Sequence, residues 1–212
     1  MKQIVKTYKI YTYNELNEEA KQKVKEWYLS GQESFIFDNM IEDDLGYLFP
    51  HSSLQFQYSL AYCQGDGFNI YGNVDIRDVI NYKQDGENDY FTEKEKRTLL
   101  FYVNECDCEI LLPENRSGYS YCVCDRNDIL DDFTYTLENC DIRNIKHDVI
   151  KKLQKAIETI FCNLCGRYEK DGYDFFYEID EKTLEEYCND NDWYFLESGE
   201  LFAYCENNIQ DH

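Results

Sequence analysis

The feature that most constrains the fold is a long apolar stripe between Asn144 and Tyr168. Apolar side chains recur there at every third or fourth position, which is the spacing of one face of an α-helix. A helix of that length reaches about 37 Å and cannot leave such a face in water. The rest of the chain must therefore supply a broad apolar surface. The stripe consists of Ile145, Val149, Leu153, Ala156, Ile157, Ile160, Phe161, Leu164 and Tyr168.

A β-hairpin in the middle of the chain is the first candidate for that surface. Residues 54–62 alternate apolar and polar side chains, residues 64–67 form a Gln-Gly-Asp-Gly turn, and residues 68–74 alternate again. Residues 98–112 and 119–124 have a strand-like composition as well. Together these segments predict an antiparallel sheet.

The N-terminal segments predict a strand and two helices. Residues 4–13 are rich in Val, Ile, Thr and Tyr, which favours a strand. Asn14 or Asn17 then caps a helix that ends near Gly31 and whose apolar stripe consists of Ala20, Val24, Trp27 and Tyr28. Residues 34–45 predict a second helix.

The C-terminal segments predict a short helix over residues 181–189 and a last hairpin that turns at Ser198-Gly199. The fold class is therefore α+β: an antiparallel β-sheet with N-terminal helices, one long amphipathic helix packed on it, and a C-terminal β-hairpin. We expect a single domain over residues 1–212, since no linker or repeat interrupts the chain. Its parts are the helical residues 1–50, the sheet 54–124, the long helix 144–170 and the acidic residues 171–212.

The charge of the chain excludes one class of function and favours another. Asp and Glu number 43 against 21 Lys and Arg, for a net charge of −22. Binding nucleic acid through phosphate contacts needs clustered Lys and Arg, so this chain is a poor candidate for it. Solubility alone needs a net charge of only about 2–8. The excess of acid favours a basic partner.

The acid is concentrated in residues 104–141 and 171–206. On the predicted strand 98–112, Glu105, Asp107 and Glu109 share one face, roughly 6.8 Å apart, which is about twice the rise of one DNA strand. Such a row imitates a row of phosphates. The other partner-binding candidates are Asp131, Asp132, Asp174, Glu178, Glu185, Glu186, Asp190 and Asp192, with Tyr173, Phe175, Phe176 and Tyr177 as aromatic anchors or as core.

Catalytic and metal-binding motifs are weak. The chain has only three histidines and no nucleophile-elbow, zinc-protease or P-loop pattern, so we expect no enzyme and no cofactor. The glycines around Asp66 are those of a tight hairpin. Cys106-x-Cys108 and Cys122-x-Cys124 could converge on zinc, and Cys162-x-x-Cys165 has a metal-like spacing; buried packing is the simpler interpretation of each.

The expected location is the cytoplasm. No stretch approaches 18 apolar residues, and the first residues show no apolar signal region. The ten cysteines are then expected to be reduced thiols.

Three segments resemble a group of small acidic phage and prophage proteins. They are the Glu-Leu-x-Glu-Glu-Ala-Lys helix at residues 15–21, the Gln-Gly-Asp-Gly hairpin and the Phe-x-Glu-x-Gly segment at residues 195–199. The resemblance covers about a third of the chain and implies no functional residue. It implies a context of host-defence antagonists, including anti-CRISPR and anti-restriction proteins that occupy a basic nucleic-acid channel.

Charge and resemblance together predict an inhibitor that presents carboxylates to the Lys/Arg-lined groove of a host-defence nuclease, with a CRISPR effector as the first candidate. Two alternatives stay open. The chain could be an antitoxin-like or regulatory module for one basic protein, or a zinc-supported structural or hydrolytic protein. The basic helix 142–170 has no assigned role beyond packing.

Overall fold

The computed structural model describes residues 6–83, 90–105, 109–114 and 147–202. They form two compact units. The central unit comprises the described residues from Phe35 to Gly172, and the terminal unit combines those up to Ser34 with those from Tyr173 onward. The expectation of a single domain stays a prediction.

The central unit contains a three-stranded antiparallel sheet in the order β1-β2-β3. Strands β1 (Ser53–Ser59) and β2 (Gly67–Asp75) form the predicted hairpin, and Phe56 lies opposite Ile70 in its register. Strand β3 (Glu109–Leu112) pairs with the other edge of β2. The predicted strand 119–124 lies outside the described residues.

The long helix α5 (His147–Tyr177) packs on this sheet, as the α+β prediction required. Its stripe from Leu153 to Tyr168 is buried. The ring of Tyr168 lies 5.3 Å from that of Phe68 on β2, and the ring of Phe161 lies 5.1 Å from that of Phe49. Phe49 follows α2 (Ser34–Leu48), so the helix contacts both the sheet and the α2 region. The apolar stripe is thus matched by an aromatic core.

Two further helices complete the central unit. Helix α3 (Ile76–Asn81) follows β2 directly and is capped by Asp75, whose carboxylate accepts a hydrogen bond from the Arg77 amide at 2.7 Å. Helix α4 (Glu93–Glu105) begins after Thr92. Sequence reasoning predicted neither helix.

Helix α4 corrects the predicted strand 98–112. Residues 98–105 are helical, and in the rest of that segment the described strand is Glu109–Leu112. The segment opens with a capping box, in which Thr92 accepts from the amide of Glu95 and the Glu95 side chain accepts from the amide of Thr92 at 2.7 Å. This local start signal prevailed over the β-propensity of Leu, Phe, Tyr and Val further along.

The terminal unit is built on α1 (Glu18–Ser30) and α6 (Glu181–Asp190). Asn17 caps α1 as predicted, accepting from the Ala20 amide at 2.9 Å, and Gly31 follows its last residue. The core of the terminal unit is a small cluster, formed by Tyr13, Leu16, Ala20, Val24, Leu184, Cys188 and Phe195.

One predicted strand of the terminal unit is wrong, and the last hairpin is present in its described part. Residues 6–13 contain one isolated bridge, between Tyr11 and Phe195, instead of a strand. In the hairpin Phe195 bridges Leu201, the Phe202 amide donates to the Tyr194 carbonyl at 2.7 Å, and the Leu196 amide donates to the Glu200 carbonyl at 2.8 Å. The turn itself is present at Gly199, whose φ is 85°. In the described part of the terminal unit, side-chain packing of the core cluster and the isolated bridges of Phe195 take the place of a longer sheet.

Candidate acidic surface

Helix α6 is the element that carries the acidic surface of the terminal unit. Asp180 caps it by accepting from the Thr183 amide at 3.0 Å. Hydrogen bonds from the side chain and from the amide of Thr183 lower the pKa of Asp180. Leu184 and Cys188, one turn apart, are buried in the core cluster. The cap and the apolar pair determine which face of the helix turns outward.

The carboxylates of α6 divide into two groups. Glu181 and Glu185 belong to the fold, because Glu181 accepts from Lys21 Nζ at 2.6 Å and Glu185 accepts from the side-chain amide of Asn14. Glu186 and Asp190 are exposed, and among the described residues the ion-pair partner of Glu186 is the exposed Lys182 one turn earlier, at 3.4 Å. An exposed pair of this kind contributes little to stability.

We call the exposed group the α6 acidic surface, defined as Glu178, Glu186, Asp190 and Asp192. Within the part of the chain that the structure describes, Glu178, Asp190 and Asp192 have no ion-pair partner. Asp190 lies in the last turn of α6, where the negative end of the helix dipole disfavours an acid. Helix stability therefore gives no reason for an acid at this position.

Exposed aromatic side chains occur in the same unit. Tyr187 on α6 stacks on Tyr28 with ring centroids 5.6 Å apart and is 45% exposed. Trp27 packs edge-on against Trp193 at 5.1 Å, and Tyr194 is also exposed. Sequence reasoning missed Tyr187 and Tyr194 as anchors and placed Trp27 in the apolar stripe. No signal for the exposure of Tyr187 was available, since it stands three residues after Leu184 and next to Cys188, a spacing typical of the buried face.

The predicted aromatic anchors lie at the end of α5. Tyr177 is exposed, whereas Tyr173, Phe175 and Phe176 are half-buried. Tyr173 and Tyr177 are in ring contact at 6.1 Å, and Phe175 and Phe176 at 4.9 Å. Asp174, between them, is exposed on the last turn of α5.

The predicted phosphate-like row on residues 105–109 is wrong as a single strand. Glu105 is the last residue of α4 and Glu109 is the first residue of β3, so a helix end replaces the strand on one side. Glu109 is exposed. Asp107, Asp131 and Asp132 lie outside the described residues.

Other acids of the chain are part of the fold. Asp66 accepts from the amides of Ala61 and Cys63 at 2.8 and 2.9 Å, which supports the structural interpretation of the Gln-Gly-Asp-Gly turn. Asp78 is buried and accepts from the His51 amide and the Ser52 hydroxyl. Such carboxylates hold loops together and are not available to a partner.

The cysteines in the described ranges offer no metal centre, as no group of three His, Cys, Asp or Glu side chains lies there in a metal-binding arrangement. Cys162 is disulfide-bonded, which departs from the expectation of reduced thiols for that residue. Burial, with a smaller contribution from Glu185, raises the pKa of Cys188 to about 11, so this thiol stays protonated at neutral pH. The Cys-x-Cys pairs of the zinc hypothesis lie outside those ranges.

The fold and site define an α+β protein with an exposed acidic surface. The chain matches no protein-family profile, no curated protein and no solved structure. Among the described residues, none of the helices is long and apolar enough to cross a membrane. The resemblance to phage proteins stays a prediction.

Proposed function

We propose that this protein is a cytoplasmic inhibitor that binds a basic, nucleic-acid-binding surface of another protein and excludes the nucleic acid from it. A host-defence nuclease, with a CRISPR effector as the first candidate, is the proposed target. The observation that carries the proposal is the α6 acidic surface, whose carboxylates are exposed and, within the described residues, form no ion pair other than that of Glu186 with Lys182.

Charge supports this proposal beyond the surface itself. From Asp171 to Phe202 the chain has eleven acids against Lys182 as the single base. A concentration of one sign of charge raises the association rate with a surface of the opposite sign and is weakened by salt. Carboxylates at the surface keep their hydration until a partner with Lys and Arg displaces it. The proposed mode is therefore fast, salt-sensitive competition with phosphates.

The exposed rings of Trp27, Tyr187 and Tyr194 suit the same interface. Aromatic side chains are enriched among the residues that dominate binding energy, and they bury a large area with few rotatable bonds. A target surface of Lys and Arg also offers cation–π partners to these rings. We expect charge to set the association rate and the rings to slow dissociation.

The test is competition for a basic nuclease between this protein and a labelled target duplex, measured by anisotropy over a salt series. Replacing two acids of the α6 acidic surface, Glu186→Lys with Asp190→Lys, should weaken inhibition about tenfold or more at low salt. The matched control is Asp43→Lys with Glu93→Lys. It makes the same change of net charge on exposed acids of the central unit, one of which also has a lysine one turn away.

Equal inhibition by the two double variants would contradict a role for the α6 acidic surface, because net charge alone would then account for the effect. Circular dichroism and a thermal melt of each variant establish that the fold is intact. Absence of competition with any of a panel of CRISPR and restriction nucleases would contradict the inhibitor proposal.

The second candidate, an antitoxin-like or regulatory module, is favoured by the aromatic residues alone. In that case a single basic protein would bind with little dependence on salt, since ring burial and not charge would dominate. The variant Tyr194→Ala should then weaken binding more than the Glu186→Lys, Asp190→Lys pair does. The opposite order supports the inhibitor.

A further inference from the structure

A groove of about 840 Å³ runs between α2 and β1 in the central unit, and none of the residues of the α6 acidic surface lines it. Its size falls within the range of small-molecule sites. Five successive residues of β1, from Leu54 to Tyr58, line one wall, and α2 forms the other. The groove is thus elongated along both elements.

The lining has a definite chemistry. Asp38 and Glu42 lie one turn apart on the α2 wall, so their Cβ atoms are separated by about 5–6 Å. Asp38 accepts from the Tyr58 hydroxyl at 2.8 Å, and burial, followed by this hydrogen bond, raises the pKa of Tyr58. Glu42 is exposed and has no ion-pair partner in the described ranges. The lining residues that the structure describes include no Lys or Arg.

Apolar side chains complete the groove between and beside these carboxylates. Leu45 and Phe49 on the α2 side face Leu54 and Phe56 on the strand side. A metal ion is a poor fit, because calcium takes six to eight oxygen ligands and magnesium demands an octahedral set. Two carboxylates one helical turn apart beside apolar walls suit ammonium groups joined by a short hydrocarbon chain.

Gly46 shapes the α2 wall. A Cβ atom at this position would meet nothing within 4 Å, so packing does not require a glycine there. Glycine in the interior of a helix costs about 0.5–1 kcal/mol relative to alanine. Because Gly46 has no side chain, the groove is open at this position, next to Leu45 and one turn after Glu42.

We propose that this groove binds a linear aliphatic polyamine, with one ammonium group at Asp38, a second at Glu42 and the methylene chain along Leu54 and Phe56. Charge complementarity and the elongated apolar wall carry the assignment. The site is separate from the α6 acidic surface and does not depend on the function proposed for it.

The test is calorimetric titration of the full-length protein with spermidine at about 0.15 M ionic strength, where the Debye length is about 8 Å. We expect one saturable site. Gly46→Leu places a side chain in the groove and should abolish this site, while Gly166→Leu is its control. Gly166 is likewise helical with nothing within 4 Å of a Cβ, and it does not line the groove.

Charge is tested by a second matched pair. Glu42→Gln should weaken spermidine binding about tenfold, as for loss of one charge-assisted hydrogen bond. Asp43→Asn removes the same charge from the next residue, which is exposed but does not line the groove, and should leave binding unchanged. Nα-acetyl-lysine amide, whose side-chain ammonium is its single positive charge, should bind at least tenfold more weakly than spermidine.

Three results would overturn the proposal. They are the absence of saturable binding, equal binding by all four variants, which would indicate diffuse attraction to an acidic protein, and tighter binding of Nα-acetyl-lysine amide than of spermidine. The last result would assign the groove to a lysine side chain of a partner protein. Thermal melts of the variants exclude unfolding as the cause of a loss.

Discussion

Carboxylates of the two units illustrate two opposite uses of an acidic residue, although each unit contains both kinds. In the central unit Asp44 accepts from Arg167 and from the Tyr168 hydroxyl, Asp75 caps α3, and Asp78 holds the chain before β1. In the terminal unit, α6 turns Glu186 and Asp190 to solvent. Both units are acidic in sequence, but several carboxylates of the central unit are hydrogen-bonded within the fold, and the α6 acidic surface is displayed.

This difference follows from burial. A carboxylate removed from water must be paired or hydrogen-bonded, or its charge becomes costly. Burial by itself would raise the pKa of Asp75, and its hydrogen bonds from Arg77 outweigh that and lower it. An exposed carboxylate has no such requirement. The number of acidic residues therefore overstates the charge that a partner can contact. The number of exposed carboxylates, such as those of the α6 acidic surface, describes that charge better.

The largest expected effect compares one glycine of each unit. Gly72 in β2 has a φ of 116°, and an added Cβ would lie 2.3 Å from the Ser53 carbonyl oxygen. Gly199 has a φ of 85°, and an added Cβ would lie 2.5 Å from the Ala20 carbonyl oxygen. Both Gly72→Ala and Gly199→Ala strain the backbone and force it to move, so each should cost about 3 kcal/mol in urea unfolding.

Gly166→Ala is the control for both, and it should leave the protein as stable or slightly more stable. If Gly199→Ala left the urea midpoint unchanged while Gly72→Ala lowered it, the terminal turn would not belong to the cooperative fold. The comparison between the units would then need revision.

The next effect separates engaged from displayed acids. Asp78→Ala leaves the His51 amide and the Ser52 hydroxyl without their acceptor, and it should cost about 2 kcal/mol of unfolding free energy. Asp190→Ala should change that free energy by less than about 0.5 kcal/mol. Equal losses in chemical denaturation would show that hydrogen-bonded and exposed carboxylates contribute alike to the stability of this protein.

The smallest effect concerns the partly exposed Glu95 of the central unit. The hydrogen bond from Lys152 at 2.7 Å and that from the Thr92 amide lower its pKa to about 2. A carboxylate whose pKa is depressed by folding stabilises the protein above its unfolded pKa, near 4.5, and loses this contribution as the pH falls toward 2. The Tm of the wild type should exceed that of Glu95→Gln at pH 7, and the difference should vanish near pH 2.

A constant Tm difference at all pH values would contradict this assignment, because it would place the effect of Glu95→Gln in packing and not in charge. The same titration with Glu186→Gln provides the contrast from the displayed group, and it should show little difference at any pH.

Local signals predicted the elements of this protein where a period or a cap was strong. The stripe from Leu153 to Tyr168, the Asn17 cap and the turn before Phe68 are encoded within a few residues, and each was confirmed. Helix α4 was missed because its capping box at Thr92 competes with a strand-like composition downstream. The two local signals favour different elements there, and β-propensity depends too strongly on context for composition to decide between them.

The sequence by itself determined the net charge, the α+β composition and the amphipathic faces, since these depend on residue type and spacing alone. Only the tertiary structure decided which acids remain displayed. Asp44 meets Tyr168 across 124 residues of chain, and Asn14 meets Glu185 across 171. Whether a carboxylate is buried and hydrogen-bonded or open to water depends on groups that distant parts of the chain bring to it, and no local pattern encodes that proximity.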